Sequence, residues 1–276
     1  MAVQCQINLQ GKTALVTGGA NGLGEGSAMA LASCGANVVV VDKDVEKGEA
    51  LVQRLESLGI KALFIATNMM EQAQVQTMAA RAIDHFGAIH ILVNNVGGGR
   101  PVPFLEQSAG SIQRHLSLNL MSVFNTTQAI VPSMIAAQEG GVIINVASTE
   151  ALRAAPGFAV YAACKAAVVS FTKTMSLELA EHHIRSFALA PDMIATPGLA
   201  PLMNDSSPAE KAARDRYIPN GRMGSIEEFG QLVAFLASDM AAYLNGVTVP
   251  VDAGATAAAG WYRNPDNQWC LFHSNE

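Results

Sequence analysis

Apolar residues along this chain gather into seven short blocks separated by longer stretches in which they recur with helical spacing. The blocks are Thr13–Thr17, Ala36–Val41, Ala62–Ala66, Ile89–Asn94, Val142–Ala147, Ser186–Ala190 and Val247–Val251. Each is nearly continuous in Val, Ile, Leu and Ala, as expected of strands covered on both faces rather than on one. Between the first two, Ala28, Leu31 and Ala32 share one helical face. Val45, Leu51, Val52, Leu55 and Leu58 repeat that pattern before a stop at Gly59. Strands alternating with helices predict an α/β fold, a single doubly wound domain whose seven-stranded parallel sheet is flanked by helices.

Two stretches break the rhythm. Residues 191–219, rich in Pro, Met and Ala, are only partly helical in pattern, and an irregular segment of that length inside a compact domain predicts a functional lid, placed at about 192–219. The tail Ala255–Glu276 carries Trp261, Tyr262, Trp269 and Phe272. Aromatics that dense seldom remain in water, so the tail is expected to pack on something, either a subunit interface or its own subunit as a strap.

Composition narrows the class. The chain has 276 residues, and no linker or repeat divides it, so one domain over residues 1–254 with an appended tail is expected. Half the residues are hydrophobic, 14% are charged and the formal net charge is −6, which disfavours nucleic acid or an anionic membrane as the main partner. The four cysteines, Cys5, Cys34, Cys164 and Cys270, show no metal-ligand spacing and read as free thiols. With no evident signal segment and no uninterrupted apolar run of bilayer length, a cytoplasmic location is expected.

Candidate chemistry lies at two places. Thr17-Gly18-Gly19-Ala20-Asn21-Gly22-Leu23-Gly24 joins the first strand to the first helix. Glycines 18, 22 and 24 allow a tight turn and let backbone approach a pyrophosphate, which the helix N-terminus attracts. Asp42 closes the second strand, where a carboxylate accepts from both adenosine ribose hydroxyls and repels a 2′-phosphate, so NAD is expected over NADP. Further along, Tyr161 and Lys165 are four residues apart in a helical segment and so share a face. A phenol ordinarily titrates near pH ~10, and a neighbouring ammonium, aided by oxidised nicotinamide, favours the phenolate needed of a general base. Ser148, closing the fifth strand, is placed to hydrogen-bond a substrate oxygen.

Together these residues resemble the short-chain dehydrogenase/reductase family from about Gly11 to Gly254. The likeness includes Asn94-Asn95-Val96-Gly97, Asn119, the stretch Pro191-Asp192-Met193-Ile194-Ala195-Thr196-Pro197, and Asp252-Ala253-Gly254. It implies Tyr161 as general acid–base, Lys165 on the nicotinamide ribose, Ser148 on the substrate oxygen, and Asn119 holding a water that links Lys165 to solvent. It also implies cofactor contacts from Gly18, Asn21, Gly22, Leu23 and Gly24, from Asp42, Asn68, Met69, Asn95 and Gly97, and from Pro191, Ile194 and Thr196. No metal is implied, and the expected assembly is a homotetramer or homodimer. Three positions depart from the pattern: Asn68 for an aspartate, Val96 for an alanine, and Asp192 for a glycine. Asp192 either brings a carboxylate to the pocket or turns to solvent.

The substrate pocket is expected from Gly98–Phe104, Thr149–Phe158 and Asp192–Tyr217, where small apolar residues favour a hydrophobic alicyclic or steroid-like alcohol or ketone. Met193 and Met203 lie in this lid as candidate substrate contacts. Glu150 and Arg153 read equally as pocket rim or solvated loop, Cys164 reads as packed, and His182 and His183 read as turn residues. Reduction of a 3-oxoacyl thioester competes with this reading, as does a nucleotide-sensing protein without turnover. Retention of Asn119, Ser148, Tyr161 and Lys165 favours an enzyme.

Overall fold

The computed structural model describes residues 6–200 and 206–271. Seven strands form one parallel sheet: β1 Thr13–Thr17, β2 Asn37–Asp42, β3 Ala62–Ala66, β4 Ile91–Asn94, β5 Gly141–Val146, β6 Ile184–Pro191 and β7 Thr248–Val251. Their order across the sheet is β3-β2-β1-β4-β5-β6-β7. Connections therefore run outward from β1 to one edge, return to β4 and continue to the other edge. That reversal between β1 and β4 opens a crevice above the carboxyl ends of the strands.

Alternation along the strands distributes the core between two faces. Ala14, Val16, Val38 and Val40 meet helices α1 (Gly22–Ser33), α2 (Val45–Glu56) and the helix Ile226–Ala237, through Leu31, Leu55, Phe229 and Val233. Leu15, Val39, Val41 and Leu92 point the other way, onto α3 (Gln72–Phe86) and a long helix ending at Ala137, through Val75, Met78, Ile130 and Met134. The β1, β2, β4 and β5 blocks are continuous in apolar residues because both sides are dry. On the first face two glycines let helices touch: a Cβ on Gly230 would stand 2.2 Å from the Gly26 carbonyl oxygen.

The long helix begins as α4 (Ala109–Leu116), widens into a π-turn over Ser117–Met121 and continues as α5 (Ser122–Ala137). Over Ala109–Ala137 it spans 29 residues with a most apolar stretch of hydropathy 1.2, long and apolar enough by those measures to cross a membrane. Here it packs beside α3 and against α6 (Ala159–Glu178), and it buries Asn119, Ser122, Thr126 and Thr127. Those polar residues are why no uninterrupted apolar run shows in the sequence.

Strands β2, β4, β5, β6 and β7 differ from the sequence expectation by one or two residues at an end. Strand β4 starts at Ile91, not Ile89, because the ring Nδ1 of His90, not a backbone carbonyl, accepts from the Thr13 N–H at 3.0 Å. The lid contains a full helix, α7 (Pro208–Tyr217), started by a capping box in which Ser207 and Glu210 satisfy each other's backbone N–H groups. The helix Ile226–Ala237, now α8, begins the same way at Ser225 and Glu228. Within the tail, β8 (Tyr262–Arg263) and β9 (Trp269–Cys270) pair as a small hairpin lying on α7 of the same chain. Phe272, Met203 and Cys5 lie outside the described residues.

Candidate active site

A cleft of about 430 Å³ opens above the sheet at the β1–β4 reversal. Its walls include the residues that close or follow six successive strands: Gly18, Asp42, Thr67, Asn95, Ala147 and Pro191. Asn21, Gly22, Leu23, Asn68, Met69, Gly97, Tyr161, Lys165 and Thr196 also line it, so most residues singled out in the sequence converge here.

The glycine turn is held in shape by its neighbours. Gly18 and Gly22 adopt left-handed backbone, with φ of 60° and 56°. Asn95 donates from its side-chain Nδ2 to the Thr17 and Gly18 carbonyls, 3.0 Å each, and its own N–H donates to the Thr17 hydroxyl. Its Nδ2 is therefore occupied in pinning the turn, and the residue lines the cleft. Gly24 does not line the cleft; a Cβ there would stand 2.0 Å from the Gly18 carbonyl oxygen, so its contribution is close packing of turn on helix. Asn21 caps α1 without a side-chain hydrogen bond to the helix, and first-turn N–H groups have no intrahelical partner.

Asp42 is fixed by two backbone donors, the Ala20 N–H at 3.1 Å from one oxygen and the Asp44 N–H at 3.1 Å from the other. Each oxygen retains a second acceptor direction. A backbone cradle with a carboxylate at its far wall fits an adenine dinucleotide.

At the other end, Tyr161 and Lys165 project from α6. Lys165 is 2% exposed, donates to the Val146 carbonyl at 2.8 Å and lies 5.8 Å from the Tyr161 ring centre. Burial pushes this amine down to about 8. Burial likewise pushes the Tyr161 phenol up, partly offset by its hydrogen bond with the Ser148 hydroxyl and reinforced by the charge of Glu150. Burial thus favours the protonated phenol; the sequence expectation of a lowered value counts on Lys165 together with the charge of a bound oxidised nicotinamide.

Asn119 fastens the Gly98 loop: its Oδ1 accepts from the Gly98 N–H at 2.8 Å, while Nδ2 donates to the Gly98 carbonyl at 3.0 Å and the His115 carbonyl at 3.2 Å. A Cβ on Gly97 would stand 2.7 Å from the Lys165 nitrogen and 2.9 Å from Asn119 Oδ1, so bare backbone is required where these groups meet. Ile194 is 4% exposed and sits in the core with Phe229; it does not line the cleft. Met193 lines a separate cavity beside α8 rather than this one.

Several contributors had no sequence signal. Thr67, Met70, Leu118, Val146 and Ala147 line the cleft; those closing strands follow from the rule that ligands sit at carboxyl ends, once register is known. A buried polar chain was also missed: Asn94 donates to Asn145 at 2.8 Å, and Asn145 donates to Thr172 of α6 at 2.9 Å. It ties the helix bearing Tyr161 to the middle of the sheet. Cys164 is buried at 1% exposure, in accord with a packing role.

On the substrate side the expected segments do meet. The Val102 N–H donates to the Gly157 carbonyl at 2.9 Å, joining two of them. Arg153 Nη2 donates to Glu150 at 2.9 Å and to both Asp192 oxygens at 3.3 Å, and Nη1 donates to the Tyr217 hydroxyl. Tyr217 in turn donates to Asp192 at 3.0 Å. Asp192 thus does not turn to solvent, and its side chain is 8% exposed. The region expected to be mainly apolar contains a charged cluster.

A nicotinamide-type cleft with a buried Tyr–Lys pair defines a dinucleotide-dependent oxidoreductase. The chain belongs to the short-chain dehydrogenase family, whose model matches residues 12–207. It is 36% identical over 252 residues to oxidoreductase UcpA of Salmonella typhimurium, covering 90% of this chain and 95% of that protein. Among solved structures it is similar to a 7α-hydroxysteroid dehydrogenase complexed with NADH and 7-oxo glycochenodeoxycholic acid, with a TM-score of 0.86 and 30% identity. That likeness covers 92% of this chain and 98% of the other. It is equally similar to a gluconate 5-dehydrogenase from Burkholderia cenocepacia in complex with NADP and tartrate, with a TM-score of 0.85 and 35% identity over 92% and 98% of the chains. It is therefore an oxidoreductase of CH–OH groups acting on small molecules with a nicotinamide dinucleotide.

Proposed function

We propose that the protein interconverts a secondary alcohol and a ketone with NAD, on a hydrophobic alicyclic or steroid-like substrate. The observation that carries this is one cleft with Asp42 and the pinned glycine turn at one end and Tyr161 with Lys165 at the other. When bound, the nicotinamide ring accepts or returns the hydride. Asp42 supports NAD because a 2′-phosphate would bring negative charge against a carboxylate already fixed by two backbone donors. In oxidation Tyr161 takes the hydroxyl proton as the carbinol C–H bond gives up its hydride; in reduction it returns that proton to the carbonyl oxygen. Ser148 orients the reacting oxygen beside the phenol, and Lys165 holds the ribose hydroxyls and stabilises the phenolate. Gly18, Asn21, Gly22 and Leu23 take the pyrophosphate end, Asn68 and Met69 the adenine side, and Pro191 and Thr196 the carboxamide side.

The family likeness supports self-association as a homotetramer or homodimer, which sedimentation would test. The functional test is formation of reduced nicotinamide from NAD across a panel of neutral ring alcohols, charged hydroxy acids and 3-hydroxyacyl thioesters. Ring alcohols are expected to turn over best. Tyr161→Phe is expected to lower turnover by about 10³-fold while leaving NAD affinity within about twofold. Thioester turnover without ring-alcohol turnover would reject the substrate class, and an active Tyr161→Phe would reject the chemistry.

A further inference from the structure

Four residues far apart in sequence meet beside the substrate end of the cleft. Glu150 and Arg153 belong to the turn after β5, Asp192 follows β6, and Tyr217 ends the lid helix α7. Arg153 binds all three partners, its guanidinium also lying 5.8 Å from the Tyr217 ring centre. Its geometry is a fork: one nitrogen bridges two carboxylates and the other reaches the phenol. Asp192 stands where the related pattern carries a glycine, so this chain supplies a carboxylate and the cation that balances it.

We propose that Arg153 is a positioning residue for the alcohol–ketone reaction, tying the lid helix to the end of β6 and pairing with Glu150, the carboxylate that faces the catalytic phenol. The inference rests on Tyr161 being the acid–base group, as read above.

The placement gives Arg153 two separable effects. Through Tyr217 it fixes where α7 sits over the turn that follows Ser148. Through Glu150 and Asp192 it sets the local charge, since two carboxylates against one guanidinium leave a single net negative charge. The charged or titratable side chains around the phenol are Lys165 on α6, Glu150 on the turn and His115 on α4. Asp192 and Asp252 stand beyond Arg153. His115 and Tyr161 both flank Gly99, so the phenol is enclosed from α4 as well. Burial raises Asp192, and Arg153 with Tyr217 opposes that rise. Removing Arg153 leaves Glu150 beside Tyr161 without its counterion, and negative charge near a phenol disfavours its phenolate.

The test compares four variants on a ring alcohol with NAD. Arg153→Met is expected to raise KM about tenfold and to move the acid limb of the kcat profile for oxidation about half a pH unit alkaline, with NAD affinity unchanged. The triple variant Arg153→Met, Glu150→Gln, Asp192→Asn is expected to return the limb while KM stays high. Tyr217→Phe breaks only the lid contact at a side chain 37% exposed, so it folds even if the arginine variant does not. It is expected to raise KM about threefold with the limb in place. Arg153→Lys keeps the charge without the fork, and should keep the limb with an intermediate KM. If Tyr161→Phe is inactive yet Arg153→Met and Tyr217→Phe keep the native limb and a KM within about twofold, the role given to Arg153 is overturned. If Tyr161→Phe retains turnover, the reading beneath it fails instead.

Discussion

The two ends of the cleft are built by different means. At the glycine turn, Thr17, Gly18, Gly24 and Asn95 hold one another through backbone atoms and a single amide, and Asp42 is fixed by backbone N–H groups. At the substrate end the contacts are side chain to side chain, and they join a post-strand turn, a strand end and a lid helix. Backbone cradles depend on what is absent from a residue, and tolerate almost nothing larger. Side-chain clusters depend on what is present, and can be rewritten while the fold stands. One end is thus suited to a cofactor common to a family, the other to a substrate particular to one protein.

The sharpest way to break this contrast is to add one carbon group at each end. Gly24→Ala puts a methyl 2.0 Å from the Gly18 carbonyl oxygen, on backbone that cannot yield without moving the turn. The expected result is a loss of about 3 kcal/mol in stability and of NAD affinity by at least ~100-fold, read by chemical unfolding and calorimetry. Gly157→Ala on the substrate side meets Pro101 at 3.2 Å with a φ of 83°. It should cost about 1 kcal/mol, with NAD affinity nearly unchanged. Equal losses at both positions would erase the distinction.

A second contrast concerns charge. Asp42→Asn keeps a side chain of the same shape at the β2 terminus while removing the repulsion of a 2′-phosphate. The ratio of kcat/KM for NAD over NADP should fall roughly 30-fold. No such change in cofactor preference is expected from Asp192→Asn, which lies at the other end. A ratio that Asp42→Asn leaves unmoved would show that discrimination resides elsewhere, Lys43 being the cation that also lines the cleft.

The third turns on pH and carries a sign. Burial raises the Tyr161 phenol above its ordinary value, so the phenolate is the minor form at neutral pH. Oxidation needs the phenolate as base, and its kcat should climb with pH, by as much as about tenfold per unit on the steep limb. Reduction needs the phenol as acid and should decline over the same range. Lys165, pushed down to about 8 by burial, adds a second titration whose loss of charge weakens support for the phenolate at the alkaline end. Oxidation faster at pH 6 than at pH 9 would contradict the assignment of Tyr161 as base.

How much of this was legible in the sequence follows the same division. The seven strands were readable because both faces of a parallel sheet are dry, so apolar runs are uninterrupted. The glycine turn, Asp42, Tyr161 and Lys165 were readable because each belongs to a short local pattern with a direct geometric meaning. What escaped were partnerships across the chain. Asn145 and Thr172, or Arg153 and Asp192, carry no local mark of each other; the packing of α6 on the sheet joins the first pair, and the pairing of β5 with β6 brings the strand ends of the second together. Burial escaped as well: the sequence shows a lysine four residues from a tyrosine, but not that burial raises the phenol and lowers the amine. Gly24 and Ile194 sit in the right motifs yet act by close packing and by filling the core.

The smallest expected effect concerns the tail, expected from sequence either at a subunit interface or as a local strap. Its hairpin lies on α7, with Arg263 stacked 4.7 Å from the Trp269 ring centre, while Trp261 and Trp269 remain 48% and 46% exposed. The contact of β8 with α7 within one chain supports the strap, while the half-exposed indoles leave apolar surface that a second copy could cover. Removing residues 260–276 should then raise KM for the alcohol about two- to threefold and lower stability by about 1 kcal/mol, because α7 loses a neighbour but keeps its capping box and the Arg153 tie. Sedimentation should show the same assembly before and after truncation. If the oligomer dissociates instead, the tail belongs to a subunit interface, and substrate-end geometry is set partly by a second copy of the chain.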